Sequence, residues 1–261
     1  MRKNQVTILI ILAVVLAGVI GYALVPMGEN EEPLIKKIGL GLFKGSQEET
    51  DSTLMAAQGD SVKTDTVAVQ EVDTTKQNIL LLGDSMVEGL SRPFADYCAH
   101  NGHEYNSICW YSSTSKTWAK TDTLAYFLNK FNPTMVLVSL GGNEQFVRDL
   151  DDRERYVKKI IDVIGTDRKL LWIGTPSWKD DTGINDINLR YSGADRYFDS
   201  KRLTISRAKD HIHPTSAGSA AWMDSIAAWI NSFDYRHPIV MEKYSEKATS
   251  KHLVLLQPMD I

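Results

Sequence analysis

Four short apolar runs constrain this chain more than any other feature: Asn78–Gly83 (NILLLG), Ser107–Trp110, Met135–Leu140 and Leu170–Gly174. Continuous apolar runs of this length suit strands covered on both faces. Between them lie stretches of helical periodicity, at 86–101, 116–131 and 151–164, and a further one at 216–230 follows the last run. Strand alternating with helix requires crossover connections, and therefore a parallel sheet with helices on both faces. A short segment at 197–199 offers a fifth strand, so the expected class is α/β with about five parallel strands. In an open sheet of this kind ligands collect at the carboxyl ends of the strands. That rule singles out Gly83-Asp84-Ser85, 110–115, Gly141-Gly142-Asn143 and 175–179.

The N-terminus sets a second constraint. Arg2 and Lys3 precede an uncharged run from Thr7 to Val25, long enough to span a bilayer as a helix. The cations belong on the cytoplasmic side, which places the rest of the chain on the far side. A cleaved signal peptide is the competing reading, but it has a shorter apolar region and a small-residue cleavage site. From residue 26 to 76 the composition turns acidic and polar and reads as a flexible tether. The expected organisation is a cytoplasmic stub (1–6), a transmembrane signal anchor (7–25), the tether (26–76), one folded domain (77–235) and a C-terminal tail (236–261). The tail ends in an apolar run, Leu253–Leu256, which fits either an edge strand or a partner contact.

Composition excludes several classes. With 261 residues, 43% of them apolar, the chain can build one sizeable core. Its net charge of −4 lacks the basic footprint of a nucleic-acid binder. Cys98 and Cys109 form no CxxC pair and no Cys/His cluster at metal-ligand spacing, so no metal is expected. The two thiols are either buried and free or joined in one bridge.

The chemistry lies in three places. Ser85 sits between the first strand and a helix, where the helix N-terminus stabilises negative charge; it serves there as nucleophile or as N-cap. Asp210-His211-Ile212-His213-Pro214 supplies a base with a carboxylate three residues away, the pairing that activates a serine hydroxyl. His211 and His213 compete for the role. Asn143, on a glycine-flanked loop, is either an oxyanion donor or the closure of an Asx turn. Trp178 and Glu144 are the candidate substrate contacts.

Gly-Asp-Ser early, Gly-Gly-Asn in the middle and Asp-x-x-His-Pro late, in that order over about residues 77–235, resemble the SGNH (GDSL-type) hydrolases. The resemblance implies a flavodoxin-like three-layer α/β/α sandwich and cofactor-free hydrolysis of esters or thioesters. It implies Ser85 as nucleophile, His213 as base and Asp210 as its orienting carboxylate. The implied oxyanion hole is the Ser85 N–H, the Asn143 side chain and a backbone N–H from the second block. That block departs from the family: the usual glycine is absent from 110–115, and Ser113 is the match taken here. Glu144 replaces the usual aspartate and Met86 the usual leucine. The expected activity is that of a membrane-anchored, extracytoplasmic carbohydrate O-acetylesterase acting on an acetylated glycan or small ester. An O-acetyltransferase, lipase or thioesterase of the same fold, or a noncatalytic glycan-binding module, are the alternatives.

Overall fold

The computed structural model describes residues 71–259, which lie in one compact unit running from Thr66 to the C-terminus. The elements in order are β1 (Asn78–Gly83), α1 (Met86–His100), β2 (Glu104–Trp110), α2 (Ser115–Lys120), α3 (Thr123–Phe131), β3 (Met135–Ser139), α4 (Leu150–Ile164), β4 (Lys169–Ile173), α5 (Ile184–Ser192), β5 (Tyr197–Phe198), α6 (Ser216–Ile230) and β6 (Leu253–Leu256). They form one sheet of order β5-β4-β3-β1-β2-β6, parallel throughout.

Alternation along the strands sorts the core into two layers. Ile79, Leu81, Cys109, Leu137 and Ile173 face α1 and α6, meeting Phe94, Trp222 and Ile226. Leu80, Leu82, Ile108, Val138 and Trp172 face α2 to α5, meeting Trp118, Phe127 and Ile160. Strands so covered have no polar side, which is why they read as unbroken apolar runs. The result is a three-layer α/β/α sandwich.

The sheet has six strands rather than about five. β6 comes from the segment that the sequence reading sets apart as a tail, and it pairs with β2 from Ser107↔Leu253 to Trp110↔Leu256. Tyr235, Ile239 and Met241, at and beyond the expected domain end, are buried in the core. At the other end, Asp73 falls within the expected tether, yet its N–H donates to the Pro238 carbonyl at 2.8 Å and its carboxylate meets Lys169 at 3.0 Å. The expected anchor at 7–25 and most of the tether lie outside the described residues. Among the described residues, no helix is long and apolar enough to cross a membrane. Both cysteines are free and buried, and burial pushes the Cys109 thiol up to about 12.

The strand order positions the site. The chain leaves β1 toward β2 and then returns to the other side of β1 for β3, making the β1/β3 boundary the switch point of the sheet, where a crevice opens. Gly83 and Ser139 are paired at that boundary, and the backbones approach closely. A Cβ on Gly83 would lie 1.8 Å from the Ser139 carbonyl oxygen.

Candidate active site

Ser85 occupies the N-cap position of α1 without capping it: its side chain makes no cap hydrogen bond. Asp84 does that work, its Oδ1 accepting from the Met86 N–H at 3.0 Å. The Ser85 hydroxyl is thereby released, and its Oγ lies 2.9 Å from His213 Nε2. His213 Nδ1 lies 2.7 Å from Asp210 Oδ2. A carboxylate only accepts, so Nδ1 carries the proton and Nε2 is left to accept from the serine. The competition between the two histidines is decided by the turn: His211 has φ +61° and lies outside this chain of bonds.

The turn holding His213 is built around Asp210. Oδ1 accepts from the backbone N–H of Ile212 at 2.9 Å and of His213 at 3.0 Å. The His213 bond first, and these two N–H groups next, hold the Asp210 carboxyl down at about 2. Arg207, which the sequence reading did not single out, locks the turn from behind. Its guanidinium donates to the carbonyls of Ile212 and Pro176 and lies over the Trp178 ring at 5.8 Å. An arginine three residues before an Asp-x-x-His turn carries no local signal; only the folded loops bring it there.

The strand-end loops converge on the same point. Asp84 is almost wholly buried, and its Oδ2 accepts from the Gly142 N–H at 2.9 Å, tying the β3 loop to the β1 loop. Asn143 Nδ2 donates one hydrogen to the Ser113 carbonyl at 2.9 Å, which orients the amide and leaves its second hydrogen available. The expected donor Ser113 has its polar groups turned to other partners. Its N–H is spent on the Trp110 carbonyl at 3.2 Å and its Oγ accepts from Trp118 Nε1 at 3.0 Å. The backbone donor beside the cavity is that of the neighbouring Ser112. Ser112 lines a cavity of about 530 Å³ with Ser85, Asn143, Trp178 and His213, and the N–H groups of Ser85 and Ser112 have no backbone acceptor among the described residues. Its φ of +57° is the left-handed conformation that favours glycine, which accounts for the glycine usual in this block of the resembled family.

Of the two expected substrate contacts, Trp178 lines that cavity, edge-on to Phe146 at 6.1 Å between centroids. Glu144 does not. It is fully buried, accepting from the Ser115 N–H and Oγ, both at 2.7 Å, and meeting Arg153 Nε at 3.3 Å. Its carboxylate supports the Asn143 loop from below and cannot touch a ligand. Among the described residues no group of three or more His, Cys, Asp or Glu side chains is placed to hold a metal ion.

No protein-family profile and no curated protein sequence matches the chain. Solved structures with related folds include a psychrotrophic esterase from Pseudoalteromonas sp., 17% identical, covering 59% of this chain and 99% of that one with a TM-score of 0.45. A family 3 carbohydrate esterase from Clostridium thermocellum is 16% identical, covering 59% and 94% at 0.43. A carbohydrate acetylesterase from Sinorhizobium meliloti is 16% identical, covering 59% and 99% at 0.41. Likeness at this level assigns no chemistry. On its own residues, with three motif blocks in order at successive strand ends and a Ser-His-Asp chain joining the first to the last, the protein is similar to the SGNH (GDSL-type) hydrolases.

Proposed function

We propose that this protein is a serine ester hydrolase, anchored to a membrane through residues 7–25 and working on the extracytoplasmic side, with O-acetyl groups on glycans as its substrates. One observation carries the chemistry: the unbroken line from Ser85 Oγ through His213 to Asp210, with contacts of 2.9 and 2.7 Å. His213 Nε2 takes the proton of Ser85 as Oγ attacks the ester carbonyl, and Asp210 stabilises the imidazolium that results. The carbonyl oxygen gains negative charge against the Ser85 N–H, the Ser112 N–H and the free hydrogen of Asn143 Nδ2, at the N-terminus of α1. The imidazolium returns its proton to the departing alkoxide as the ester C–O bond breaks, leaving an acyl-serine. Water, deprotonated by the same His213, then releases the carboxylic acid. A cavity of about 530 Å³ shared with Trp178, Phe146 and Tyr111 suits a short acyl group better than a long lipid chain. The location is supported by the uncharged run from Thr7 to Val25 behind Arg2 and Lys3.

The test is hydrolysis of p-nitrophenyl acetate by the full chain beside Ser85→Ala and His213→Ala. Each variant is expected to lose at least about a thousandfold in kcat, since serine and base act as a unit. A wild-type rate no higher than that of the variants would refute the reading.

A further inference from the structure

Ser85 and His213 face two spaces, and the mechanism above uses one. The second is a groove of about 430 Å³ lined by the first turns of α1 and α6 and by the chain that follows α6; it shares Ser85, Met86, Glu88 and His213 with the first cavity and adds Arg92, Tyr244, Lys247 and Lys251. The outer wall is therefore made by the segment beyond residue 235. That segment is pinned at Ala248, whose N–H donates to the buried Asp96 at 2.8 Å and whose carbonyl accepts from Arg92 at 2.7 Å. β6 fixes it again a few residues later.

The charges lining this groove are unequal in their availability. Two carboxylates face three cations: Asp96 is buried, holds Ala248 and meets Arg92 Nε at 3.5 Å, while Glu88 is exposed and places its charge beside Arg92, Lys247 and Lys251. Lys247 and Lys251 have no carboxylate partner among the described residues, and both are exposed. A protein of net charge −4 thus presents two uncommitted cations in a groove that ends on its reacting pair. Because His213 must protonate the departing oxygen, the alcohol part of an ester lies against its Nε2, and His213 lines this groove.

We propose that this groove receives the alcohol part of an ester that carries an anionic group, a carboxylate or a phosphate, with Lys247 and Lys251 as counter-charges. The inference rests on the ester-hydrolase reading and narrows it to acidic glycans. Charge of this kind steers and selects ligands at the cost of sensitivity to salt.

The experiment compares kcat/KM of the full chain on acetylated oligogalacturonate, an acetylated sugar phosphate and a neutral acetylated xylo-oligosaccharide. At least one anionic ester is expected to be preferred by about tenfold, a difference of about 1.4 kcal/mol, and the better of the two identifies the anion. The double charge reversal Lys247→Glu/Lys251→Glu is expected to invert that ratio. Raising the ionic strength from about 0.01 to about 0.5 M is expected to erase it. Equal kcat/KM for anionic and neutral esters, or a ratio unmoved by charge reversal, overturns the inference while leaving the hydrolase reading intact. Binding of deacetylated oligogalacturonate and of inorganic phosphate to the Ser85→Ala chain, followed by calorimetry, gives a readout that needs no turnover. Binding of either that is lost on charge reversal supports the groove even if no ester is cleaved, and absence of binding by both overturns it.

Discussion

The proposed oxyanion donor Ser112 carries a conformational cost. A serine at φ +57° sits in a region that costs about 1–2 kcal/mol for a residue with a Cβ. Glycine there removes the strain but loses about 0.5–1 kcal/mol through the freedom of its unfolded chain. The two terms nearly cancel. Ser112→Gly is therefore expected to stay within about 1 kcal/mol of wild type in denaturant unfolding and to retain turnover of p-nitrophenyl acetate, because the donor is backbone. Asn143→Ala removes a side-chain donor and has no such substitute, so kcat is expected to fall by about two to three powers of ten with little change in stability, since Asn143 is exposed. Equal losses for the two variants would show that the Ser112 side chain, and not the N–H behind it, does the work.

At the scale of elements, the site depends on β1 and β3 ending side by side, and Asp84 joins their loops through the N–H groups of Met86 and Gly142. Burial, outweighing those two bonds, raises its carboxyl to about 6 from 3.8. Between these values the folded domain holds a proton that the unfolded chain has released, so the contribution of Asp84 to stability falls as pH rises through the window and is level above it. Asp210, held down at about 2, acts oppositely: its contribution is present above 3.8 and is lost as pH falls toward 2, below the Asp84 window. Wild type is thus expected to lose up to about 3 kcal/mol between pH 4 and pH 7 relative to Asp84→Asn, which cannot ionise; parallel pH profiles in urea would show that Asp84 does not titrate there. The loop motifs were legible because glycine, aspartate and asparagine mark strand ends, and β1, β3 and β4 because burial on both faces writes itself as an apolar run. β6 was legible only as one of two options, an edge strand or a partner contact, since four residues on an edge have no periodicity to decide between them. The positive φ of Ser112 and the burial of Glu144 against Arg153 have a common origin. A positive φ and a buried partner such as Arg153 are properties of the fold, and nothing adjacent in sequence announces them.

For the whole molecule, the chemistry and the location constrain each other. The groove beside Ser85 is lined by charged side chains, and on the proposed reading its substrate is a glycan polymer, which cannot cross a bilayer to reach it. A site of this kind is useful on the side where the polymer lies. As a helix, the run from Thr7 to Val25 would be about 28 Å long at 1.5 Å per residue, the hydrocarbon thickness of a membrane, and Arg2 and Lys3 favour retention of the N-terminus in the cytoplasm. The full chain is expected to sediment with membranes, to remain there after alkaline carbonate extraction, and to be cleaved by protease added to the outside of spheroplasts. Removal of residues 1–25 is expected to abolish export together with anchoring, leaving that variant in the cytoplasmic fraction with its esterase activity intact, because Ser85, Ser112, Asn143, Asp210 and His213 all lie beyond position 84. Recovery of the wild-type chain in the soluble exported fraction, with an intact mass beginning near residue 26, would instead identify the run as a cleaved signal and the enzyme as one that diffuses to its substrate.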